Sequence, residues 1–221
     1  MMNNLFSIFD PMTIMNSSMN WISMILIMMI MPNTFFVLKN RNSIKFQILI
    51  KYLLNEFKTN TKTHKYILIP ISMFMLIMLN NIISLPPYIF TTTSHLQLNL
   101  LMSIPIWLSI MIMGWTFNMK NMLYHLVPNG TPSYLMVFMV LIETISNIIR
   151  PLTLTVRLTA NLIAGHLLLS LLSSIKSILS YKLITLMIAI QSILITLEMS
   201  VAIIQAYVFS LLTCLYFMDS N

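Results

Sequence analysis

Charge is scarce in this chain. Asp, Glu, Lys and Arg make up only 8% of its 221 residues, whereas a soluble domain carries about 25%. Hydrophobic residues reach 58%, and mean hydropathy is +0.87. A chain so poor in charge cannot clothe a soluble domain, and reads as an all-α, multi-span membrane protein. Glycine is scarcer still: Gly114, Gly130 and Gly165 are all there are. They form no GxxxxGK loop, so no nucleotide-phosphate cradle is expected. Cys214 is the single cysteine, which excludes an intrachain disulfide and a thiolate metal cluster. Neither metal nor cofactor is expected. The opening stretch MMNNLFSIFDP has no basic n-region and no Arg-rich amphipathic run, so it resembles neither a signal nor a transit peptide.

The charge that is present is concentrated. Lys39, Arg41, Lys45, Lys51, Lys58, Lys62 and Lys65 are seven of the twelve cations. A cluster of this kind beside apolar runs fits a membrane-flanking loop under the positive-inside rule. No aromatic-basic platform accompanies it, so a nucleic-acid partner is not expected. Within the cluster, SIKFQILIKYLLNEF places Ile44, Ile48, Leu49, Tyr52, Leu53 and Phe57 at near-helical spacing. An amphipathic helix over residues 43–58, lying on the basic side of the membrane, is expected.

A membrane span takes about 20 apolar residues. Spans are expected at about 14–38, 66–89, 98–119, 134–174 and 182–217. Pro86 and Pro87 in LPPYIF should end the second. TTTSHLQ reads as a short polar turn, and NMLYHLVPNGTPS as a loop. The last two stretches are too long for upright spans: some 40 residues make a helix of about 60 Å, against a bilayer core of about 30 Å. Either each folds into a hairpin or each is one strongly tilted helix. The turn residues a hairpin needs are missing, Pro151 being the only strong breaker in the first stretch. Tilted helices are therefore expected, and they require a large protein partner on one side to cover their polar groups. The basic loop puts the N-terminus outside, Lys120 inside and the C-terminus inside, with Lys176 and Lys182 in the outer connection against the rule.

Residues 134–174 carry a polar stripe. With Arg157 at zero, Asn161 falls at about +40°, Thr153 at −40°, Arg150 at +20°, Ser146 at −20° and Glu143 at +40°. His166 lies about 180° away. In the last stretch Gln191, Glu198 and Gln205 are seven apart and share a face. Serines and threonines in membrane helices often bond their own backbone, and Asn or Gln can simply glue helices together. Mid-membrane Arg and Glu cost more, about 2.5–3.5 kcal/mol each on insertion scales. A static Arg157–Glu198 pair is one explanation, although buried pairs seldom offset their desolvation. The other is functional. Arginine cannot give up its proton, so it carries none. It can instead hold a nearby carboxylic acid ionised, by about 1–3 pKa units. A fixed cation flanked by Glu and His is a layout for a proton path interrupted by an electrostatic gate.

ETISNIIRPLTLTVRLTANLIAGHLLL (143–169) and LEMSVAIIQAYVFSLLTCLY (197–216), with NLFSIFDP (4–11) and HLVPNGTP (125–132), resemble subunit a of the F-type ATP synthase in its mitochondrial form. High Met, Ile and Asn with little Gly suits an AT-rich mitochondrial genome. The resemblance implies five transmembrane helices plus a matrix-side amphipathic helix, the last two steeply tilted against a rotating c-subunit ring. It implies the mitochondrial inner membrane, with the N-terminus in the intermembrane space and the C-terminus in the matrix. The partners implied are that ring, the other stator and membrane-sector subunits, the lipid bilayer and protons. The family's essential gate arginine falls on Arg157 through VRLTAN. Its outer half-channel residues fall on Asn161, His166, Glu198 and Gln205, and its matrix-side glutamate on Glu143 through ETIS, with Ser146 beside it. Arg150 and Gln191 are assigned to support, Arg150 alternatively to the inner channel. LPPYIF departs from the usual single-proline form, and Thr153 and Thr155 replace commoner alanines.

A haem- or quinone-binding respiratory subunit is the competing class. Haem ligation needs facing histidines inside the bundle, and His64, His95 and His125 all fall near membrane ends. A secondary transporter is disfavoured because no internal repeat is visible.

Overall fold

The computed structural model describes residues 5–12, 17–25, 40–60, 67–86, 89–127, 132–175 and 181–220. Every regular element among them is helical. In chain order the α-helices are α1 (Arg41–Asn60), α2 (Leu68–Ser84), α3 (Leu96–Phe117), α4 (Met119–Leu126), α5 (Ser133–Ile175) and α6 (Tyr181–Ser220). Short 3-10 turns occupy Leu5–Phe9, Met19–Trp21 and Thr92–Ser94. Of the span expected at 14–38, only 17–25 are described; the rest lies outside the described residues, as do His64, Pro87 and Lys176.

Helix α1 forms where the spacing over 43–58 anticipates it. Its apolar residues divide between two faces. Leu53 and Phe57 are buried in the core, while Ile44, Ile48 and Tyr52 stay exposed. The Tyr207 hydroxyl of α6 donates to Glu56 Oε2 at 3.5 Å, tying α1 to the last helix.

Helix α2 is shorter than the 66–89 expected, with 17 residues. It stops at Ser84, two residues short of Pro86. Proline disfavours helix at the residue before it and offers no N–H of its own. The polar turn expected at TTTSHLQ forms as the 3-10 turn Thr92–Ser94, and α3 begins at Leu96. Thr91, Thr92, Thr93 and Ser94 are all buried. Thr91 Oγ1 donates to Ser94 Oγ at 2.8 Å, Thr92 Oγ1 to Asn80 Oδ1 at 3.4 Å and Asn99 Nδ2 to the Thr93 carbonyl at 2.8 Å, while Thr93 Oγ1 is buried without a partner. His95, Trp21 and Phe90 form a three-ring cluster, His95 lying 5.2 Å from each of the other two and those two 5.5 Å apart.

A correction concerns NMLYHL, expected as loop. It is helix α4. Met119, Met122, Leu123 and Leu126 stand at i, i+3, i+4 and i+7, the spacing of one helical face. Asn118, at φ −130° and ψ 45°, breaks α3 from α4.

The two long stretches are single helices, not hairpins. Helix α5 has 43 residues and α6 has 40, so they run about 65 and 60 Å. Helix α5 continues through Pro151. Among the described residues three helical segments are long and apolar enough to cross a membrane: Leu96–Phe117, Tyr134–Ser174 and Leu183–Met218. The core sits where α1, α2, α5 and α6 meet, with Phe74 and Met75 of α2 and Leu154 and Leu158 of α5 packed around Ala206 and Phe209 of α6. Among the described residues the contact of α2 with α6 is the most extensive. Ala206, fully buried, lets the two backbones approach. Outside this crossing the long helices are bare: Leu152, Val156 and Leu168 of α5 and Ile193, Leu197 and Ile204 of α6 are exposed.

Candidate functional site

Helix α5 is the spine of the site. Glu143, Arg150, Arg157, Asn161 and His166 all lie on its one continuous run, and α6 supplies the groups opposite. Two separate cavities open along this pair. The larger, about 450 Å³, is lined by Glu143, Asn147 and Arg150 of α5, Trp107 and Trp115 of α3, α4 side chains and Tyr216 of α6. The smaller, about 190 Å³, is lined by Asn161, Gly165 and His166 of α5, Glu198 and Gln205 of α6, and Asn81 of α2.

Arg157 stands between the two. It lines neither cavity and is exposed. It lies about 21 Å along the helix axis from Glu143 and about 13 Å from His166, at 1.5 Å per residue. Among the described residues it makes no hydrogen bond and no ion pair. The static Arg157–Glu198 pair considered from sequence does not form. Instead Arg150 Nη2 donates to Glu143 Oε1 at 3.3 Å, and the Arg150 guanidinium lies over the Tyr216 ring, 5.5 Å from its centroid.

The smaller cavity holds unmet polar groups. His166 Nε2, Glu198 Oε2 and Asn81 Oδ1 are buried without a hydrogen-bond partner. Such atoms cost about 1–3 kcal/mol each when left dry, and three in one cavity make it a place for water or a proton in transit. Gly165 creates the room. A Cβ placed there would lie 2.6 Å from Glu198 Oε1 and 2.9 Å from its Cδ. No side chain fits without displacing the carboxylate, which can swing aside because it ends a flexible side chain. Gly165→Ala is therefore expected to leave folding intact yet move Glu198 by about 1 Å. A misplacement of that size costs up to about 100-fold in a positioned reaction. We expect proton flux through the assembled complex to fall about tenfold at unchanged complex yield, measured by dye quenching in vesicles. Wild-type flux in Gly165→Ala would mean the carboxylate's present position is unimportant.

The structure thus gathers Asn161, His166, Glu198 and Gln205 around one cavity and sets Glu143 with Arg150 around another. His166 joins its group although it falls on the far face of the helical wheel from Arg157. The cavity wraps a wide part of α5, because Gly165, at about +80°, exposes the surface between Asn161 and His166. Two expected members are not brought in. Ser146 lines neither cavity and spends its hydroxyl on the Glu143 carbonyl at 2.8 Å. Gln191 also lines neither. Three residues were missed: Asn81, Gly165 and Tyr216. Asn81 had a signal in the Asn80–Asn81 pair, set in an otherwise apolar run. Gly165 had one in being one of three glycines. Tyr216 had none.

Comparison with known proteins places the chain in a family. The family described as ATP synthase A chain matches residues 14–218. The ATP synthase subunit a of Drosophila melanogaster is 49% identical over 228 residues, with 100% of both chains covered. That of Aedes aegypti is 50% identical over 226 residues, and that of Anopheles gambiae 49% over 230, again with 100% of each chain covered. A match along nearly the whole chain and relatives alike from end to end show that this protein belongs to the ATP synthase A chain family.

Proposed function

We propose that this chain is the proton-translocating stator subunit of an ATP synthase membrane sector, working against a rotating ring of c subunits. The single observation that carries the reading is the geometry of α5: two separate cavities with an exposed, unpaired arginine between them. A continuous channel would leak protons. Two separate cavities with a fixed cation between them force each proton to change carrier.

Protons from the intermembrane space enter the cavity of Asn161, His166, Glu198 and Gln205. They neutralise a carboxylate on a c subunit, which can then face lipid at far lower cost than its charged form. After most of a turn that carboxyl reaches the cavity of Glu143 and releases its proton to the matrix. The ionised carboxylate then passes Arg157, whose permanent charge keeps it ionised and closes the direct route between cavities. Each charge crossing gains about 2.3 kcal/mol per 100 mV.

The chain lies in the mitochondrial inner membrane. It crosses five times, at about 14–38, 66–89, 98–119, 134–174 and 182–217, as a single domain, with the N-terminus in the intermembrane space and the C-terminus in the matrix. Helix α1 lies on the matrix surface with Ile44, Ile48 and Tyr52 toward the lipid. Helices of about 60 Å crossing a core of about 30 Å must lean about 60° from the normal. The leaning pair offers its bare faces to the ring. Chemistry on nucleotide belongs to other subunits.

A structure of the native complex tests this. The expected finding is a ring of identical helical hairpins beside α5, each with a carboxylate at the depth of Arg157. An Arg157 whose nearest carboxylate is in its own chain, with no ring beside it, would return the protein to the transporter class.

A further inference from the structure

The Arg150, Glu143 and Tyr216 contacts lie outside the carrier-switching scheme above, which needs only Glu143. They come from different helices and meet at one cavity. Arg150 sits two turns beyond Glu143 on α5, reaches back to Glu143 Oε1 at 3.3 Å, and rests over the ring of Tyr216 from the last turns of α6 at 5.5 Å. Its neighbour Pro151 has no N–H, so the carbonyl of Asn147, another cavity residue, loses its helical partner.

We propose that Arg150, held by Tyr216, is a positioning residue that fixes the Glu143 carboxylate at the inner cavity. This deepens, and rests on, the reading of that cavity as the matrix-side half-channel. A guanidinium is permanently charged and cannot take the proton from Glu143. Its planar fork can therefore orient the carboxylate without competing for its proton. Arg150 engages Oε1, and among the described residues Oε2 accepts no hydrogen bond. One oxygen is anchored and the other is left for water or a proton. Without an anchor a glutamate has several rotamers, and only some present the carboxylate to the cavity. Tyr216 makes the anchor rigid. Stacked on an aromatic face, the arginine loses freedom it would otherwise keep. The clamp also links α6 to α5 about 27 Å along α6 from Glu198, at 1.5 Å per residue. Lysine at 150 would keep the charge but not the fork or the stack.

The test is a double-mutant cycle in the assembled complex, reconstituted in vesicles and normalised to complex yield. ATP-driven proton pumping is measured for Glu143→Gln, Arg150→Gln and the pair. A residue acting through Glu143 gives non-additive losses: Arg150→Gln alone is expected to slow pumping about fivefold, and to add nothing once Glu143 is already Gln. Arg150→Lys should recover part of the loss. Tyr216→Leu should mimic Arg150→Gln, and Tyr216→Phe, which keeps the ring, should lose less. Losses that multiply in the double variant, or an Arg150→Gln protein that pumps at the wild-type rate, would overturn the positioning role. Wild-type pumping in Glu143→Gln would instead sink the half-channel reading itself, so the two failures are distinguishable. If Arg150→Gln does not assemble, the Lys variant and the Tyr216 pair carry the same comparison: equal losses in Tyr216→Phe and Tyr216→Leu would remove the stacking argument.

Discussion

Replacing Arg157 with alanine is expected to abolish ATP synthesis and ATP-driven proton pumping in the assembled complex, by at least about 100-fold. That is the scale seen when a single preorganised electrostatic group is removed from a site. The reason lies in its isolation. Arg157 is exposed and has neither a hydrogen bond nor an ion pair within the described chain, so its removal leaves no orphaned partner and should not disturb folding. What disappears is the one charge between two cavities. A carboxylate passing an uncharged position can keep or regain its proton, and the separation of inward and outward paths is lost. Two readouts distinguish the consequences. Stopped rotation gives no hydrolysis-linked pumping. An open leak gives passive proton flux through vesicles with no nucleotide present. Arg157→Lys keeps a charge but loses the planar fork, and should retain a fraction of the coupling. Pumping in Arg157→Ala at the wild-type ratio of protons to ATP would end the gate hypothesis.

The second large effect is expected at Glu198. Glutamine has nearly the same shape, keeps the cavity filled and cannot relay a proton. General acid–base groups contribute about 10²–10⁴-fold in rate, and Glu198→Gln is expected to slow synthesis at the lower end of that range, about 100-fold, because water can bypass part of the path. The geometry supplies the specificity. The Glu198 carboxylate sits where Gly165 has no side chain, with its Oε2 buried and unpartnered beside the equally unpartnered His166 Nε2. Glu198→Asp keeps the acid but withdraws it by one methylene, and should lose less than Glu198→Gln. Both directions of flow should suffer together, since the outer cavity is used for uptake in synthesis and for release in hydrolysis. Synthesis in Glu198→Gln within a factor of two of wild type would show that protons travel on water alone.

Much of this site is legible before any coordinates. Glu143, Arg150, Arg157 and Asn161 repeat at intervals of seven and four, and any helix built from that stretch shows them on one side. The helix itself is nearly forced by some 40 apolar residues with one breaker. The wheel was a poorer guide to His166, because it ranks residues by angle from Arg157 and knows nothing of the groove between α5 and α6. It over-counted Ser146, whose hydroxyl is used by its own backbone. It also over-counted Gln191. A strict seven-residue repeat drifts by about 20° per heptad on a straight helix, and the smaller cavity covers only a short length of α6, so a residue one heptad before Glu198 need not reach it. The TTTS turn was legible as a polar turn, but its burial was not: Thr91 bonds Ser94, and Thr92 and Thr93 bond asparagines of α2 and α3.

Hydropathy, charge placement and periodicity add up residue by residue along the chain. For that reason the membrane class, the two overlong helices, the basic amphipathic segment and the two mid-helix arginines are all properties of the sequence taken alone. Cavities and partnerships are not additive. Whether Arg150 meets Glu143 or a residue of another helix depends on a rotamer and on Tyr216, 66 positions further on. Whether Asn81 faces Glu198 depends on how closely α2 crosses α6, which is governed by the side chains packed at Ala206 and Phe209. Those groups lie far apart in the chain, Asn81 and Glu198 more than a hundred positions, and only the packed helices bring them within reach.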